Sequence, residues 1–437
     1  MARAAALRPL LREHAGRGET ERVVPARVVD ALGEAGVFRL LTPRRYGGLE
    51  TDLRTLTEVS ETLGAADGSS AWTGMIIAVT NWLACLFPDK AQEEVFGADP
   101  DARVTGVAAP TGTAEKAPGG WRLSSRWSYN SGFPYATWAA VGALLKDDGA
   151  VVDQALVLIP AGDLAVEDAW HMAGMKGTAG NTLTAQDVFV PEHRVLSLPA
   201  TAEGARVRSH TEETLYGSTF GPMLLLCLVG PFLGLGRAAL DTVREAAAVK
   251  PLSFTTHSRQ ADSVGVQIQV AQAALKLETA RLHTYDAVDA VDRAAPSGPL
   301  DYPARAHIRA QAGYAAQQAL GAIEILPAER ARLVRLRRHA PAPAHLARRR
   351  CRGPARGPGP GRRPGGVRQV APGRRRACEP HGLTGPSRAA APPEPFPLLR
   401  RMAAWLPPRD DVPPRPTGGP HLRSGCCPRS RNSCGMA

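Results

Sequence analysis

Residues 119–138 read GGWRLSSRWSYNSGFPYATW. After the paired glycines, apolar Trp121 and Leu123 alternate with Arg122 and Ser124, which is the period of a half-buried strand. The run then breaks at Asn130-Ser131-Gly132 and Pro134, residue types that turn a chain. The runs on the C-terminal side repeat the pattern: TWAAVGALL (137–145), QALVLIP (154–160) and NTLTAQDVFVP (181–191) sit between Gly-, Pro- and Asp-rich turns. Alternation with turns every ten residues or so predicts antiparallel strands from about Arg103 to Leu198.

Outward from this block, the period changes to that of helices on both sides. In VVPARVVDALGEAGVF (23–38), Val24, Val28, Leu32 and Ala35 recur at helical spacing, with Pro25 in the first turn and Gly36 at the end. Asp67 stands where its carboxylate can cap SSAWTGMIIAVTNWLACLF (69–87), which Pro88 stops. Downstream, the stretches 227–247, 263–292 and 302–326 each keep a helical period, as three antiparallel bundle helices with short connections would. Residues 215–236 are uncharged and nominally long enough to span a bilayer, but Gly217, Pro222, Gly230, Pro231, Gly234 and Gly236 interrupt them, so a buried bundle helix is expected. The expected organisation is α+β: a helical domain over 1–104, a β domain over 105–200, a helical bundle over 201–326 and a low-complexity segment over 327–437.

Composition supports that last boundary. The chain has 437 residues, with 53 Lys and Arg against 41 Asp and Glu. Residues 327–437 hold 24 of the Arg, no Lys, 5 acids, 21 of the 38 Pro and 5 of the 7 Cys. Residues 1–326 therefore carry a net −7 and the remainder +19, so the overall basic charge gives no reason to expect a nucleic-acid partner for the body. Arg, Pro, Gly and Ala are what GC-rich DNA yields in an unintended frame, and the third bundle helix is cut without a cap; residues 327–437 read as a frameshift product. Codons for Leu333-Val334-Arg335 read one nucleotide late permit Ser-Phe-Ala, and those for His345-Leu346-Ala347 permit Thr-Trp-Arg. The body has only Cys85 and Cys227, too few for a disulfide framework or a metal cluster, which fits a reducing cytoplasm; no membrane association and no metal are expected.

No strand–G-x-G-x-x-G–helix fingerprint, P-loop or paired Cys/His spacing occurs; GLGRAAL (234–240) follows a helical run, so its glycines serve helix packing. Trp127 and Tyr129 fall on one strand face with Ser131 and Gly132 just after. They could present an aromatic wall and small donors to a planar heterocycle, or form an ordinary core strand. The loop AWHMAGMKGTAGNTL (169–183) offers Lys176, Gly177, Thr178 and Asn181 as donors to a phosphate or ring carbonyl, although turn chemistry alone would also explain them. His171, which with His193 makes up the histidines of the β region's turns, could serve as an acid or base there, or be a structural or surface histidine.

Six segments in order, GVFRLLTPRRYGG (36–48), ADGSSAW (66–72), GVAAPTGTAEKAPGGW (106–121), RWSYNSGFPYATW (126–138), WHMAGMKGTAGNTLTAQDVFVP (170–191) and GPFLGLGRAALD (230–241), resemble the acyl-CoA dehydrogenase superfamily, and more closely its two-component flavin-dependent monooxygenases, the hydroxylases of aromatic polyketides, phenols and steroid-derived rings. The resemblance implies an N-terminal helical domain, a middle β domain and a C-terminal bundle. It implies that the Trp127–Tyr129 strand runs along the isoalloxazine, that Ser131 bonds near flavin N5, and that Gly177, Thr178 and Asn181 lie beside the ring. It further implies that the Pro110-Thr111-Gly112 turn faces flavin and substrate, and that Arg259 reaches flavin phosphates across a subunit interface. Ser131 and His171 become the candidate catalytic residues. The implied chemistry uses reduced flavin, FMN or FAD, from a separate reductase, reacting with O2 to oxygenate a small aromatic substrate in a homotetramer. The carboxylate base of the dehydrogenases has no counterpart, Glu324 lying in no recognisable motif, and the branch's terminal Trp-Arg-Asp helix and histidine are missing from the written frame. A bundle without its fourth helix would leave apolar faces open, which bears on activity and assembly. An acyl-CoA dehydrogenase with bound FAD, and a non-catalytic remnant with a basic tail, stay open as alternatives.

Overall fold

The computed structural model describes residues 1–205 and 209–326; the expected frameshift segment from residue 327 on lies outside them. Five helices come first: α1 (Ala2–Glu21), α2 (Ala26–Glu34), α3 (Leu53–Gly64), α4 (Gly68–Ala84) and α5 (Asp89–Phe96). Seven strands follow: β1 (Val104–Ala117), β2 (Gly120–Trp127), β3 (Trp138–Asp147), β4 (Ala150–Pro160), β5 (Ala165–Glu167), β6 (Thr182–Pro191) and β7 (Val195–Ser197). Then come α6 (Leu198–Ala202), α7 (Phe220–Leu226), α8 (Val229–Val249), α9 (Val264–Ala294) and α10 (Tyr302–Ile325). Helices, a central sheet and helices thus follow one another in the expected order.

α4 is the central helix of the first group. The Asp67 carboxylate accepts from the Ser70 amide at 2.8 Å, so the expected cap is present, and the apolar run behind it is buried on nearly every face. Asn81 fastens α4 to the sheet. Its amide nitrogen donates to the Phe38 and Ala102 carbonyls at 3.0 and 3.1 Å, and its oxygen accepts from Val104 N at the first residue of β1. All three bonds are buried, and breaking them would strand polar groups in the interior.

The sheet order is β5-β6-β2-β1-β3-β4-β7. Its pairings are antiparallel except for the β1–β3 pair, which is parallel, Val104 opposite Trp138. The alternation read from 119–138 holds along β2: Trp121, Leu123 and Trp127 enter a core shared with Val141, Val157, Ile159 and Leu183. Between Val107 and Gly112 the β1–β3 register shifts. Pro110-Thr111-Gly112, expected as a turn, is therefore part of a bulged strand. Extra residues on β1 re-aim the chain here, and Gly112 is required because a Cβ would lie 2.5 Å from Ser125 Oγ.

The uncharged stretch 215–236 does not form one helix: a short 3-10 turn at Thr214–Gly217, then α7, then α8 divide it. Phe220–Val249 is nonetheless long and apolar enough to cross a bilayer, but 61% of its most apolar window is buried inside the protein. α8 meets α3 at very close range through Gly64, Gly230 and Gly234. A Cβ on Gly234 would sit 2.3 Å from the Glu61 carbonyl oxygen, so these glycines set the approach of the two backbones. The link from α8 to α9 spans residues 250–263, longer than the short connection expected, whereas α9 and α10 are joined by residues 295–301.

Candidate functional site

β2 ends at Trp127, and the chain turns at once. Tyr129 adopts φ 73° and Gly132 φ 78°, both in the left-handed region. This corner is stitched to the loop at 168–181. Asn130 N donates to the Asn181 carbonyl at 3.2 Å, the Asn130 side-chain amide donates to the Trp127 carbonyl at 2.6 Å, and Gly132 N donates to the Thr178 carbonyl at 2.8 Å. Within the loop, Met175 and Ala179 hold φ of 52° and 49° on either side of a single 3-10 turn at Lys176–Thr178. Non-glycine residues in this region are strained and persist where the surroundings fix them, often at functional sites. Here the Met175 carbonyl accepts from the Thr178 hydroxyl at 2.9 Å and from the Trp170 indole at 3.3 Å.

Ser131 lies at the centre of the corner, 7% exposed. Its hydroxyl oxygen accepts from the Trp72 indole N–H of α4 at 3.2 Å, which leaves the hydroxyl proton available to donate. Trp72 in turn packs against Phe232 of α8, ring centroids 6.0 Å apart. Trp72 thus links the corner after β2 to the bundle.

Other expected site residues are arranged differently. Trp127 and Tyr129 do not share a face: Trp127 is wholly buried in the sheet core and donates its indole N–H to the Gly142 carbonyl at 2.8 Å, while Tyr129 is 47% exposed and edges against Trp170. The cause is local, since Tyr129 follows the strand's end and its positive φ swings it outward. Gly177 packs onto Ser69, which a Cβ would meet at 2.9 Å, and Thr178 is buried. The Asn181 side-chain oxygen accepts from Ala169 N and Trp170 N at 3.1 and 3.0 Å, which holds the opposite limb of the loop. His171 is largely exposed, its Nδ1 3.1 Å and its Nε2 3.5 Å from Nη1 of Arg22. Arg259 lies away from this corner, in the α8–α9 connection, paired with Asp262 at 2.7 Å.

Glu19 and Arg22 at the end of α1, together with Trp72 and Phe232, are neighbours that the sequence reading did not single out. Glu19 accepts from Lys176 N at 3.0 Å and from Ser69 Oγ at 3.4 Å. Burial pushes its carboxyl above the usual carboxylate range, with nearby Asp67 adding to the rise. The Arg22 hydrogen bonds hold Asp168 below its ordinary value. Among the described residues no group of His, Cys, Asp or Glu is disposed to hold a metal.

Two polar groups at this corner are open to a planar, polar-edged ring. Ser131 keeps a donor, and the buried Asn130 Oδ1 has no hydrogen-bond partner. The acyl-CoA dehydrogenase N-terminal domain family matches residues 1–95, and the acyl-CoA dehydrogenase C-terminal domain family matches residues 226–329. The oxygenase subunit HsaA of a flavin-dependent monooxygenase from Rhodococcus jostii (strain RHA1) is 34% identical over 284 residues, 64% of this chain and 74% of that protein. The oxygenase component of an FADH2-dependent resorcinol hydroxylase from Rhizobium sp. (strain MTP-10005) is 34% identical over 64% of this chain and 69% of its own length. XiaF from Streptomyces sp., solved with FADH2 and glycerol, superposes with a TM-score of 0.71 at 32% identity, over 80% of this chain and 90% of that one. With two successive domain matches and relatives of this identity and coverage, the chain belongs to the oxygenase subunits of flavin-dependent monooxygenases within the acyl-CoA dehydrogenase superfamily.

Proposed function

We propose that this chain is the oxygenase component of a two-component monooxygenase, which receives reduced flavin, FMN or FAD, from a separate flavin reductase and hydroxylates an aromatic ring of phenolic or polyketide-like character. The observation that carries the reading is the Trp72–Ser131 hydrogen bond at a buried corner, which fixes an acceptor–donor hydroxyl while leaving its proton free. When bound, the flavin supplies activation of O2 and transfer of one oxygen atom. The protein's own residues bind, orient and dry the site. Ser131 donates to the flavin edge, and Asn130 Oδ1 accepts from a ring N–H or hydroxyl. Trp72 and Phe232 close the bundle side against water, and Tyr129 with Trp170 closes the sheet side. The bulged strand at Pro110-Thr111-Gly112 faces the substrate. The turn at Gly177 and Thr178, Trp127 and Asn181 supports the ring from behind, and Arg259 serves a flavin phosphate of a neighbouring copy. His171 is the candidate to exchange a proton with the phenol. The domain limits 1–104, 105–200 and 201–326, a homotetrameric assembly, a cytoplasmic location and a place in secondary metabolism complete the proposal.

The test is anaerobic titration of the purified chain with reduced FMN and reduced FAD, followed by rapid mixing with O2 and a panel of phenols. Binding of one reduced flavin, a near-ultraviolet absorbing species that outlasts free flavin oxidation, and a hydroxylated product are expected. Copurified FAD that resists removal together with acyl-CoA turnover would replace this reading with the dehydrogenase one.

A further inference from the structure

The end of α1 is tied to the 168–178 loop at two points one helical turn apart. At one limb, Arg22 donates from both terminal nitrogens to the two Asp168 carboxylate oxygens at 2.7 Å each, and Nη1 also reaches the Trp170 carbonyl at 3.4 Å and His171 Nδ1 at 3.1 Å. At the other limb, Glu19 Oε1 accepts from the Lys176 amide at 3.0 Å and from Ser69 of α4. Paired nitrogen–oxygen contacts of this kind define direction as well as distance, unlike a single surface ion pair. The loop lies close against α4 here: a Cβ on Gly177 would meet Ser69 Cβ at 2.9 Å. Glu19 is not a solvated surface acid, because its Oε2 is buried without a hydrogen-bond partner. A carboxylate accepts that cost where the bonds of its other oxygen are needed. The bonds continue inward, from Lys176 through the turn to the Thr178 carbonyl, from there to Gly132 N, and so to Ser131 and Trp72.

We infer that Glu19 and Arg22 form a clamp that presets the 168–178 loop, and that they are positioning residues for reduced-flavin binding at the Ser131 corner. The inference rests on the flavin reading of that corner. Neither side chain touches the reacting groups; Glu19 acts through Lys176–Thr178 and Arg22 through Asp168–His171. The groups facing the clamp are Asp67 at the start of α4, Lys176 in the turn, and Asp168 and His171 in the loop.

The experiment measures the dissociation constant for reduced FMN and reduced FAD, the fraction of consumed O2 released as hydrogen peroxide, and the melting temperature, for the wild type and for Glu19→Ala, Glu19→Gln and Arg22→Ala. Glu19→Ala and Arg22→Ala are each expected to weaken reduced-flavin binding about ten-fold, the loss typical of one charge-assisted hydrogen bond, and to raise the peroxide fraction while the melting temperature moves little. Glu19→Gln keeps the acceptor for Lys176 N and is expected to bind within about three-fold of the wild type. Wild-type affinity in Arg22→Ala overturns the clamp, as does a Glu19→Gln variant no better than Glu19→Ala. Should Glu19→Ala not fold, Glu19→Gln and Arg22→Ala decide the matter between them. A wild type that binds neither reduced flavin overturns the flavin reading itself, and that result is distinct from a wild type and variants that all bind alike.

Discussion

Ser131 and Trp72 depend on each other in a way that a paired substitution exposes. Ser131→Ala leaves the Trp72 indole N–H without its acceptor, a loss worth about 1–3 kcal/mol when the group is shielded from water. Trp72→Phe removes the same bond while keeping an aromatic ring against Phe232. The double variant is therefore expected to be less destabilised in denaturant titrations than the sum of the two single ones; simple additivity would show that the bond carries no coupling. Ser131 was legible in the sequence through its motif, but its partner was not. The two lie 59 residues apart, and a single buried hydrogen bond leaves no period for a sequence to display. Trp127 and Tyr129 were misjudged for a related reason. Alternation assigns both to one face only while the strand continues, and the positive φ at Tyr129 that ends it is carried by no glycine.

At the scale of elements, the N-terminus of α3 is capped twice. Asp52 accepts from Thr55 N at 2.8 Å, and Asp292, from the far end of α9, accepts from Leu53 N and Arg54 N at 3.0 Å each. Burial pushes Asp292 up to about 6 from an ordinary 3.8, against the backbone bonds that favour its charged form. The native state then holds this proton more tightly than the unfolded chain does. The stability this group contributes is fully present below about pH 4 and is lost as pH rises through about 6. Asp292→Asn keeps an acceptor and removes the titration. Melting curves from pH 4.5 to 7.5 are expected to fall less steeply for that variant than for the wild type, and parallel curves would refute the assignment. The local cap at Asp67 was readable from sequence because a carboxylate three residues before an open amide is a short-range pattern. A cap delivered from α9 was not, since only packing brings Asp292 to α3. The glycines and prolines of 215–236 announced an interrupted stretch, yet the break between α7 and α8 falls at Cys227 and Leu228, while Pro222 lies inside α7 and Gly230, Pro231, Gly234 and Gly236 inside α8.

For the molecule as a whole, the succession of helices, sheet and helices was legible from the change of period alone, and the parallel β1–β3 pair was not, because periodicity does not encode strand order. That pairing and the α1 contacts have a consequence in time. Glu19 and Lys176 stand 157 residues apart in the chain. At roughly 5–20 residues per second, a ribosome that has released α1 needs on the order of ten to thirty seconds more before the loop that α1 grips exists. α1, made well before the loop it grips, is therefore among the last parts to find its place, and contacts of such long separation close slowly. Refolding from denaturant is expected to recover helical circular dichroism before it recovers reduced-flavin binding, with equal rates contradicting this order. An N-terminal purification tag would ride on α1 through that late step, so a fusion at the first residue is a perturbation of the loop as well as a handle.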